Sequence, residues 1–313
     1  MERRRIGSLE VSVVGIGCNN FGWRIGANET KQVVDAALEA GVNFFDTADI
    51  YANGESEEYL GQALGRRRAG VIVSTKFGLP MQDGRQGARP EYVKQAAEDS
   101  LRRLRTAYID LYHLHKPDPA TPIADTLGAL NDLVQAGKVR EIACSNFSAA
   151  QLREADSAVS PGAARFVCVQ NEYSLIHREP EAEVLPECAR LGLAFVPYFP
   201  LANGLLTGKY RKGQPLPDNS RGKDQWGPGV FTEPNLEIVE SLIEFASSHG
   251  HTLLELAVSW LTAKDRVASV IAGARTPEQA RINASAAEWR LTKDQLAEIE
   301  RIAGGSMAVR TAT

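Results

Sequence analysis

Two residues that could exchange a proton with a substrate stand close together near the start of the chain. Segment 46–61, DTADIYANGESEEYLG, begins at the end of an apolar run and continues into an amphipathic helical pattern. Asp46 and Tyr51 therefore leave one strand end five positions apart. A tyrosine hydroxyl holds its proton until about pH 10, and a nearby cation is needed to make it a good acid near neutral pH. The segment predicts proton-transfer chemistry if such a cation lies nearby.

The candidate cation follows the next apolar run. Lys76 ends the run VIVSTK, and His115 ends IDLYHLH, one run later. The ends of neighbouring parallel strands meet at the same edge of a sheet. Lys76 would stay charged between Asp46 and Tyr51, favour the tyrosinate and lower the pKa of Tyr51. Tyr51 could then protonate a carbonyl oxygen, and His115 would donate a hydrogen bond to that oxygen.

Further polar side chains end the later apolar runs. Each alone could simply turn toward water, but their number at one end of a sheet favours a site. They are Ser145, Asn146, Gln170, Asn171 and Tyr198. His113 shares a strand face with His115 one layer deeper, where we expect a core or supporting role. The five histidines form no HExxH or comparable ligand set, so we expect no metal.

Short apolar runs alternate with helical patterns along the whole chain. Strands are predicted near 13–18, 42–46, 71–76, 109–115, 140–145, 166–171, 194–199 and 268–273. Helices are predicted near 30–40, 55–66, 90–105, 122–137, 148–156, 180–191, 235–249, 253–263, 277–287 and 292–303. This alternation favours an α/β fold, a (β/α)8 TIM barrel forming a single domain over residues 1–313.

Local signals add detail to this architecture. The turn at Gly7-Ser8 predicts an N-terminal β-hairpin that plugs the bottom of the barrel. Residues 203–234, rich in Gly and Pro, predict a long active-site loop. Helix N-caps are expected at Thr30, Ser148 and Thr292, and C-terminal caps at Gly41, Gly137 and Gly192.

Composition narrows the class of protein. The 313 residues carry a formal charge of −4, which disfavours a dedicated nucleic-acid binder. No apolar stretch is long enough to span a bilayer, and none follows Arg3, Arg4 and Arg5 as in a secretory signal. The four cysteines lack CxxC spacing, which favours buried thiols in a reducing compartment. We therefore expect a cytoplasmic enzyme without nucleic-acid or membrane partners.

Reduction of a carbonyl requires a hydride donor, and hence a cofactor. Gly15-Ile16-Gly17 suggests a dinucleotide-binding fingerprint, but Asn20 stands where its third glycine belongs. No helix is predicted to begin there either, so the GxGxxG interpretation fails. The cofactor must bind in another way.

Seven segments together resemble the aldo-keto reductase family, and the resemblance covers nearly the whole chain. They are DTADxYxxGxSExxLG, VSTK, LYHLHKPD, CSNF, VQNEYSL, YFPLANGLLTGKY and GARTPEQARIN. The variant forms of these motifs resemble the bacterial branches that include general-stress aldehyde reductases and potassium-channel β-subunit-like proteins. The resemblance implies NADPH-linked reduction of a carbonyl in a barrel, with the tetrad Asp46, Tyr51, Lys76 and His115.

The resemblance also implies a cofactor site. Ser145, Asn146 and Gln170 would hold the nicotinamide carboxamide, and Tyr198 would stack on the ring. The remaining contacts would come from Gly17, Cys18, Leu201, Gly204, Leu206, Lys209, Gly273, Arg275, Gln279 and Asn283. Arg275 would bind the 2′-phosphate, because a guanidinium pairs with phosphate oxygens in bidentate fashion. Gly273 and Gln279 replace a lysine and an arginine of many members, so NADH stays an alternative. Arg275 could also be a solvated loop cation.

The substrate is less well defined by the sequence than the reaction. Phe21, Trp23, Phe77 and Trp226 could form an apolar wall around a small carbonyl or alcohol substrate, or could be ordinary packing. Two other functions remain open. A strand-end lysine such as Lys76 could form a Schiff base in a lyase, and the chain could be a regulatory module that binds NADPH with little turnover.

Overall fold

Eight parallel strands surround a common axis in the computed structural model, which describes residues 1–216, 223 and 229–304. The strands are β3 (Val14–Gly17), β4 (Phe44–Asp46), β5 (Ile72–Phe77), β6 (Ile109–Leu114), β7 (Val139–Ser145), β8 (Phe166–Glu172), β9 (Ala194–Tyr198) and β10 (Val270–Gly273). Neighbours in this order pair in parallel, and β10 pairs with β3. Backbone bonds of Phe195 with Arg266 and Ala268 bring β9 to the segment before β10. The predicted (β/α)8 barrel is confirmed.

Helices cover the outside of this barrel. They are α1 (Ala27–Glu39), α2 (Glu55–Leu64), α3 (Pro90–Leu104), α4 (Ile123–Gln135), α5 (Ala149–Ser157), α6 (Val184–Leu191), α7 (Glu233–Ser248), α8 (Leu253–Thr262), α9 (Pro277–Ser285) and α10 (Lys293–Gly304). The larger hydrophobic core lies between the helices and the strands. Strands covered in this way are apolar on both faces, which explains their lack of clean alternation in the sequence.

A hairpin closes the bottom of the barrel. It consists of β1 (Arg3–Ile6) and β2 (Leu9–Ser12), which pair antiparallel across Gly7 at φ +56°. Ile6, Leu9 and Val11 are buried in a second core cluster with side chains from the inside of the barrel. The predicted plug is therefore present.

The inside of the barrel changes from apolar to polar toward the carboxyl ends of the strands. One layer next to the plug consists of Phe44, Ile72, Leu111, Ala143, Cys168, Val196 and Ile271. Side chains of a strand alternate between its two faces, so the residue two positions later points the same way. Those positions include Asp46, His113, Ser145, Gln170 and Tyr198. The polar layer is thus built directly on the apolar one.

Gly15 serves this packing rather than a phosphate loop. A Cβ atom at Gly15 would lie 2.7 Å from the Phe44 ring, so the glycine makes room for a core side chain.

Most predicted helix ends agree with the structure. Ser148 caps α5 in a capping box with Gln151, and Thr292 accepts a bond from the Gln295 amide. Gly41, Gly137 and Gly192 follow their helices with positive φ. The prediction for Thr30 is wrong: α1 begins after Gly26, so Thr30 is a buried residue inside the helix.

All four cysteines are buried free thiols, as the sequence predicts. Among the residues that the structure describes, no helix has the length and apolar character needed to cross a membrane.

Candidate active site

A buried ion pair stands at the centre of the polar layer. The Lys76 ammonium lies 2.5 Å from Asp46 Oδ2 and donates to the Thr47 carbonyl at 2.7 Å. Both side chains are almost fully buried, at 0% and 2% exposure. Burial alone lowers the pKa of Lys76, but Asp46, through its charge and its hydrogen bond, and the Tyr51 hydroxyl raise it above its ordinary value. Lys76 is therefore a fixed cation at neutral pH.

Two more side chains hold Asp46 in place. The Ser74 hydroxyl donates to Asp46 Oδ1 at 2.8 Å, and the Gln170 amide donates to the same oxygen at 3.1 Å. Sequence reasoning missed Ser74. Its signal was the alternation of β5, which places Ser74 on the same strand face as Lys76.

Tyr51 stands above the ion pair on a strained turn. Ala52 and Asn53 after it have left-handed φ values of 49° and 53°, before Gly54 at 99° and the start of α2. Such conformations cost non-glycine residues free energy and are concentrated at functional sites. The turn places the Tyr51 ring 5.2 Å from the Lys76 ammonium.

The expected lowering of the Tyr51 pKa is not obtained in the protein alone. Burial raises the pKa of Tyr51 and outweighs the opposing effect of Lys76, which acts on the hydroxyl by charge and hydrogen bonding. Lys76 could be identified from the sequence, but the size of its effect on the pKa of Tyr51 relative to that of burial could not. Tyr51 consequently retains its proton at neutral pH.

His115 faces Tyr51 across the same space. Their rings lie 6.1 Å apart in an edge-to-face arrangement at 81°. Burial, together with the charge of Lys76 and the presence of His113, lowers the pKa of His115 well below its usual range. His115 is therefore neutral, and one ring nitrogen donates while the other accepts. Asp46, Tyr51, Lys76 and His115 thus lie together.

A buried acidic residue next to the Lys76 backbone, Asp49, was not predicted from the sequence. Asp49 is buried, and its backbone amide donates to the Lys76 carbonyl at 3.1 Å. Burial, reinforced by the charge of Glu57, raises the pKa of Asp49 to about 7. Glu57 itself is paired with Arg103 at 2.6 Å and with the Thr75 hydroxyl.

The residues expected to hold the nicotinamide form a hydrogen-bonded chain beside the tetrad. Asn146, at φ 61°, donates to the His115 carbonyl at 2.9 Å and to the Ser145 hydroxyl at 3.1 Å. The Tyr198 hydroxyl donates to Asn146 Oδ1 at 2.8 Å. Ser145 in turn donates to the Gln170 carbonyl at 2.7 Å. This chain fixes the side chains next to the tetrad.

Strand β3 and a turn after β9 bring further residues that were expected to bind the cofactor to this end of the barrel. Gly17 pairs with Gly273 between β3 and β10, and Cys18 follows with its thiol buried. A 3₁₀ turn, Ala202–Thr207, follows the carboxyl end of β9 and includes Gly204 at φ 94°. A Cβ atom on Gly204 would lie 3.7 Å from the Lys209 ammonium, so this turn and the lysine are adjacent. Leu201 is partly exposed, and Leu206 is buried.

The amino end of α9 follows β10 directly. Thr276 caps it by accepting from the Gln279 amide, and the Gln279 side chain accepts from the Arg275 amide at 2.8 Å. Asn283 donates to the Gly273 carbonyl at 3.3 Å. Among the described residues, the partly exposed Arg275 guanidinium has no ion-pair partner.

Two of the four aromatic candidates for the substrate wall are core residues. Phe21 and Phe77 have 0% exposure, and Phe77 packs on Tyr112 with ring centroids 4.8 Å apart. Trp23 is 55% exposed, with Arg24 stacked over it at 4.0 Å. Trp226 lies outside the described residues. Packing thus accounts for Phe21 and Phe77.

No group of three or more metal-binding side chains occurs among residues 1–216, 223 and 229–304.

Comparison with known proteins identifies a family. Residues 13–303 match the profile described as "Aldo/keto reductase family". The chain is 35% identical over 297 residues to a "Probable voltage-gated potassium channel subunit beta" of Oryza sativa subsp. japonica, covering 89% of each. It is 33% identical over 307 residues to "Uncharacterized oxidoreductase YqkF" of Bacillus subtilis (strain 168), covering 96% of each.

Two solved structures are similar over most of their length. The glycerol dehydrogenase AKR11B4 of Gluconobacter oxydans superposes with a TM-score of 0.82 at 29% identity, over 96% of this chain and 94% of that one. The aldo-keto reductase AKR11C1 of Bacillus halodurans, solved in its holo form, gives 0.79 at 32% identity and 96% coverage of both.

Proposed function

The chain belongs to the aldo/keto reductase family, and we propose that it reduces aldehydes or ketones with NADPH, reversibly, using Tyr51 as the proton donor. The observation that carries this proposal is the buried Lys76–Asp46 pair beneath Tyr51, with neutral His115 beside it. Membership of the family and the oxidoreductases among its relatives support NAD(P)H-dependent carbonyl chemistry in general.

The electrostatics around Tyr51 suit an acid in the reducing direction. Its raised pKa keeps the proton in place until a substrate oxygen arrives. The Lys76 ammonium faces the hydroxyl and would stabilise the phenolate that is left behind. Asp46 neutralises the net charge of this cation and fixes its position. A proton donor held in this way contributes roughly 10²–10⁴-fold to a reaction rate.

His115 would orient the substrate rather than supply the proton. Its lowered pKa keeps it neutral, so its protonated ring nitrogen can donate to the carbonyl oxygen. Tyr51 and His115 would then hold one oxygen from two directions.

The residues near the tetrad fit a nicotinamide dinucleotide, which supplies the hydride when bound. Ser145, Asn146 and Gln170 present amide and hydroxyl groups suited to a carboxamide, and Tyr198 presents a ring for stacking. Lys209 and Arg275, which have no ion-pair partner among the described residues, would hold phosphates. Arg275 in particular supports NADPH over NADH.

A Schiff-base lyase is disfavoured by the state of Lys76. A lysine that attacks a carbonyl must be neutral, and such lysines have a lowered pKa. Lys76 is instead ion-paired, with a raised pKa.

A regulatory module that binds NADPH with little turnover is the second candidate. Relatives named as probable potassium channel β-subunits favour it. We rank it lower because Asp46, Tyr51, Lys76 and His115 are all in place.

The proposal is tested by Tyr51→Phe in an NADPH oxidation assay over a panel of carbonyl compounds. We expect kcat to fall at least about a hundredfold, because the acid is lost, with the Kd for NADPH nearly unchanged. Tyr59→Phe, a partly exposed tyrosine of α2, is the matched control and should keep full activity. Tyr51→Phe with most of its activity would remove Tyr51 as the donor, and an inactive wild type that binds NADPH tightly would favour the regulatory module.

A further inference from the structure

Two buried histidine nitrogens, one in the tetrad and one on the strand that leads to it, lack hydrogen-bond partners among the described residues. They are Nε2 of His113 and Nδ1 of His115. The two residues are 0% and 9% exposed, and they are two positions apart on β6 and its continuation, so their side chains point to the same face. Buried polar atoms are nearly always hydrogen-bonded, so each needs a partner.

The proton positions on His113 follow from the hydrogen bond that its ring makes among the described residues. His113 Nδ1 lies 3.4 Å from the Cys144 carbonyl oxygen. A carbonyl oxygen only accepts, so Nδ1 must carry the hydrogen in this contact. Burial lowers the pKa of His113 to about 4, which keeps the ring neutral at physiological pH. The unpartnered Nε2 is therefore a bare acceptor.

The proposed function requires that His115, like His113, has one ring nitrogen without a hydrogen. To donate to a substrate oxygen, a neutral His115 must carry its hydrogen on the nitrogen that faces the substrate. Its buried Nδ1 is then also a bare acceptor. Two bare acceptors cannot bond to each other. Lys76 cannot serve them, since its three protons are engaged by Asp46, Thr47 and Tyr51.

We propose that one buried water molecule donates both of its hydrogens here, to His113 Nε2 and to His115 Nδ1, and that His113 thereby fixes the tautomer of His115. Alternate residues of a strand have Cα atoms roughly 6.6 Å apart, and two acceptors that share one water lie roughly 4.5–5 Å apart, a difference that two imidazole side chains on the same face can span. Buried waters of this kind join otherwise unsatisfied polar groups. His113 is a positioning residue, because it acts on the substrate through His115. This inference rests on the proposed role of His115.

The direct test is the protonation pattern of the rings, measured by NMR on the full chain labelled with ¹⁵N-histidine. We expect His113 protonated at Nδ1 and bare at Nε2, and His115 protonated at Nε2 and bare at Nδ1. A hydrogen on Nδ1 of His115, or on Nε2 of His113, overturns the inference. This readout does not depend on turnover, so it stays decisive even if the wild type reduces no carbonyl compound and the proposed function fails.

Two variants test the consequence for catalysis. His113→Leu removes the acceptor, so His115 should become a mixture of tautomers and kcat should fall roughly fivefold to tenfold, the equivalent of one hydrogen bond, with the Kd for NADPH unchanged. His113→Gln places an amide oxygen near the former Nε2 and should restore both kcat and the single tautomer. An unchanged His115 tautomer in His113→Leu contradicts the inference, as does a failure of His113→Gln to differ from it. If His113→Leu does not fold, the wild-type spectrum and His113→Gln still decide.

Discussion

Arg275 shows how a single side chain could decide the choice between two cofactors. Its guanidinium follows β10 next to the amino end of α9, and it has no ion-pair partner among the described residues. A second phosphate on the ribose would give it one. Arginine suits that contact because its planar group binds phosphate oxygens in pairs.

We expect Arg275→Ala to raise the Kd for NADPH about tenfold or more, since hydrogen bonds to charged groups are worth about 1.5–3 kcal/mol. The Kd for NADH should stay almost the same. Titration calorimetry with both cofactors measures this. Arg281→Ala, an exposed arginine of α9 bonded to Glu39, is the control that should change neither value. Equal losses for NADPH and NADH would argue against a phosphate contact.

Residue types and strand alternation were enough to predict which side chains of the site meet. Lys76, Asp46 and His115 each follow an apolar run, so the strands that bury those runs bring their ends together. The net pKa shift of Tyr51 could not be predicted, because it is a balance between a charge and the burial of the hydroxyl. The same limit applies to Gln170, whose bond to Asp46 depends on the width of the barrel.

Close contact between two helices fixes the segment that carries Tyr51. α2 packs on the end of α3 at Gly61, where a Cβ atom would lie 2.6 Å from the Leu104 carbonyl oxygen. Backbone cannot move aside as a flexible side chain can. Since α2 begins at the strained turn that includes Tyr51, the position of the turn depends on this contact.

Gly61→Ala should therefore destabilise the protein by about 1–3 kcal/mol, as overpacking does, measured as the free energy of unfolding in urea. Gly128→Ala in α4 is the matched control, because a Cβ atom on Gly128 would meet no other atom within 4 Å. There the gain in helix propensity should stabilise the protein by up to about 1 kcal/mol. Equal effects at the two sites would refute the packing argument.

Helix boundaries illustrate what local sequence leaves open. Ser148 combines a side-chain cap with Gln151 at the right spacing, so the start of α5 was predictable. Thr30 is followed by a similar helical pattern, yet α1 begins earlier, after a glycine with no side-chain cap. The tertiary environment that buries Thr30 decided this end, and no short-range signal reports it.

At the scale of the whole molecule, one buried carboxyl group, that of Asp49, should make stability depend on pH. The pKa of Asp49 is about 7 in the folded chain, against an ordinary value of 3.8. Between these pH values the folded state binds a proton that the unfolded state has lost. The contribution of Asp49 to the free energy of unfolding therefore falls as pH rises from about 4 to about 7.

Asp49→Asn removes this dependence. Relative to the wild type, the variant should gain stability on the order of 4 kcal/mol between pH 4 and pH 8, because a shift of one pKa unit is worth about 1.4 kcal/mol. Urea unfolding across this range measures the difference. His113, whose pKa is lowered to about 4, acts with the opposite sign but is present in both proteins, so it cancels. A difference that does not vary with pH would show that folding does not raise the pKa of Asp49.

The burial of the four cysteine thiols affects how readily the protein is inactivated by covalent modification. The nucleophile that attacks aldehydes and peroxides is the thiolate form of cysteine, not the thiol. Burial raises the pKa of Cys18, Cys144 and Cys168 well above the ordinary value, and that of Cys188 to about 12. Even Cys18, at the edge of the site, thus stays unreactive at neutral pH. A catalyst exposed to electrophiles in every cycle is thereby protected from covalent self-inactivation at cysteine, and thiol-directed reagents would make poor inhibitors of it.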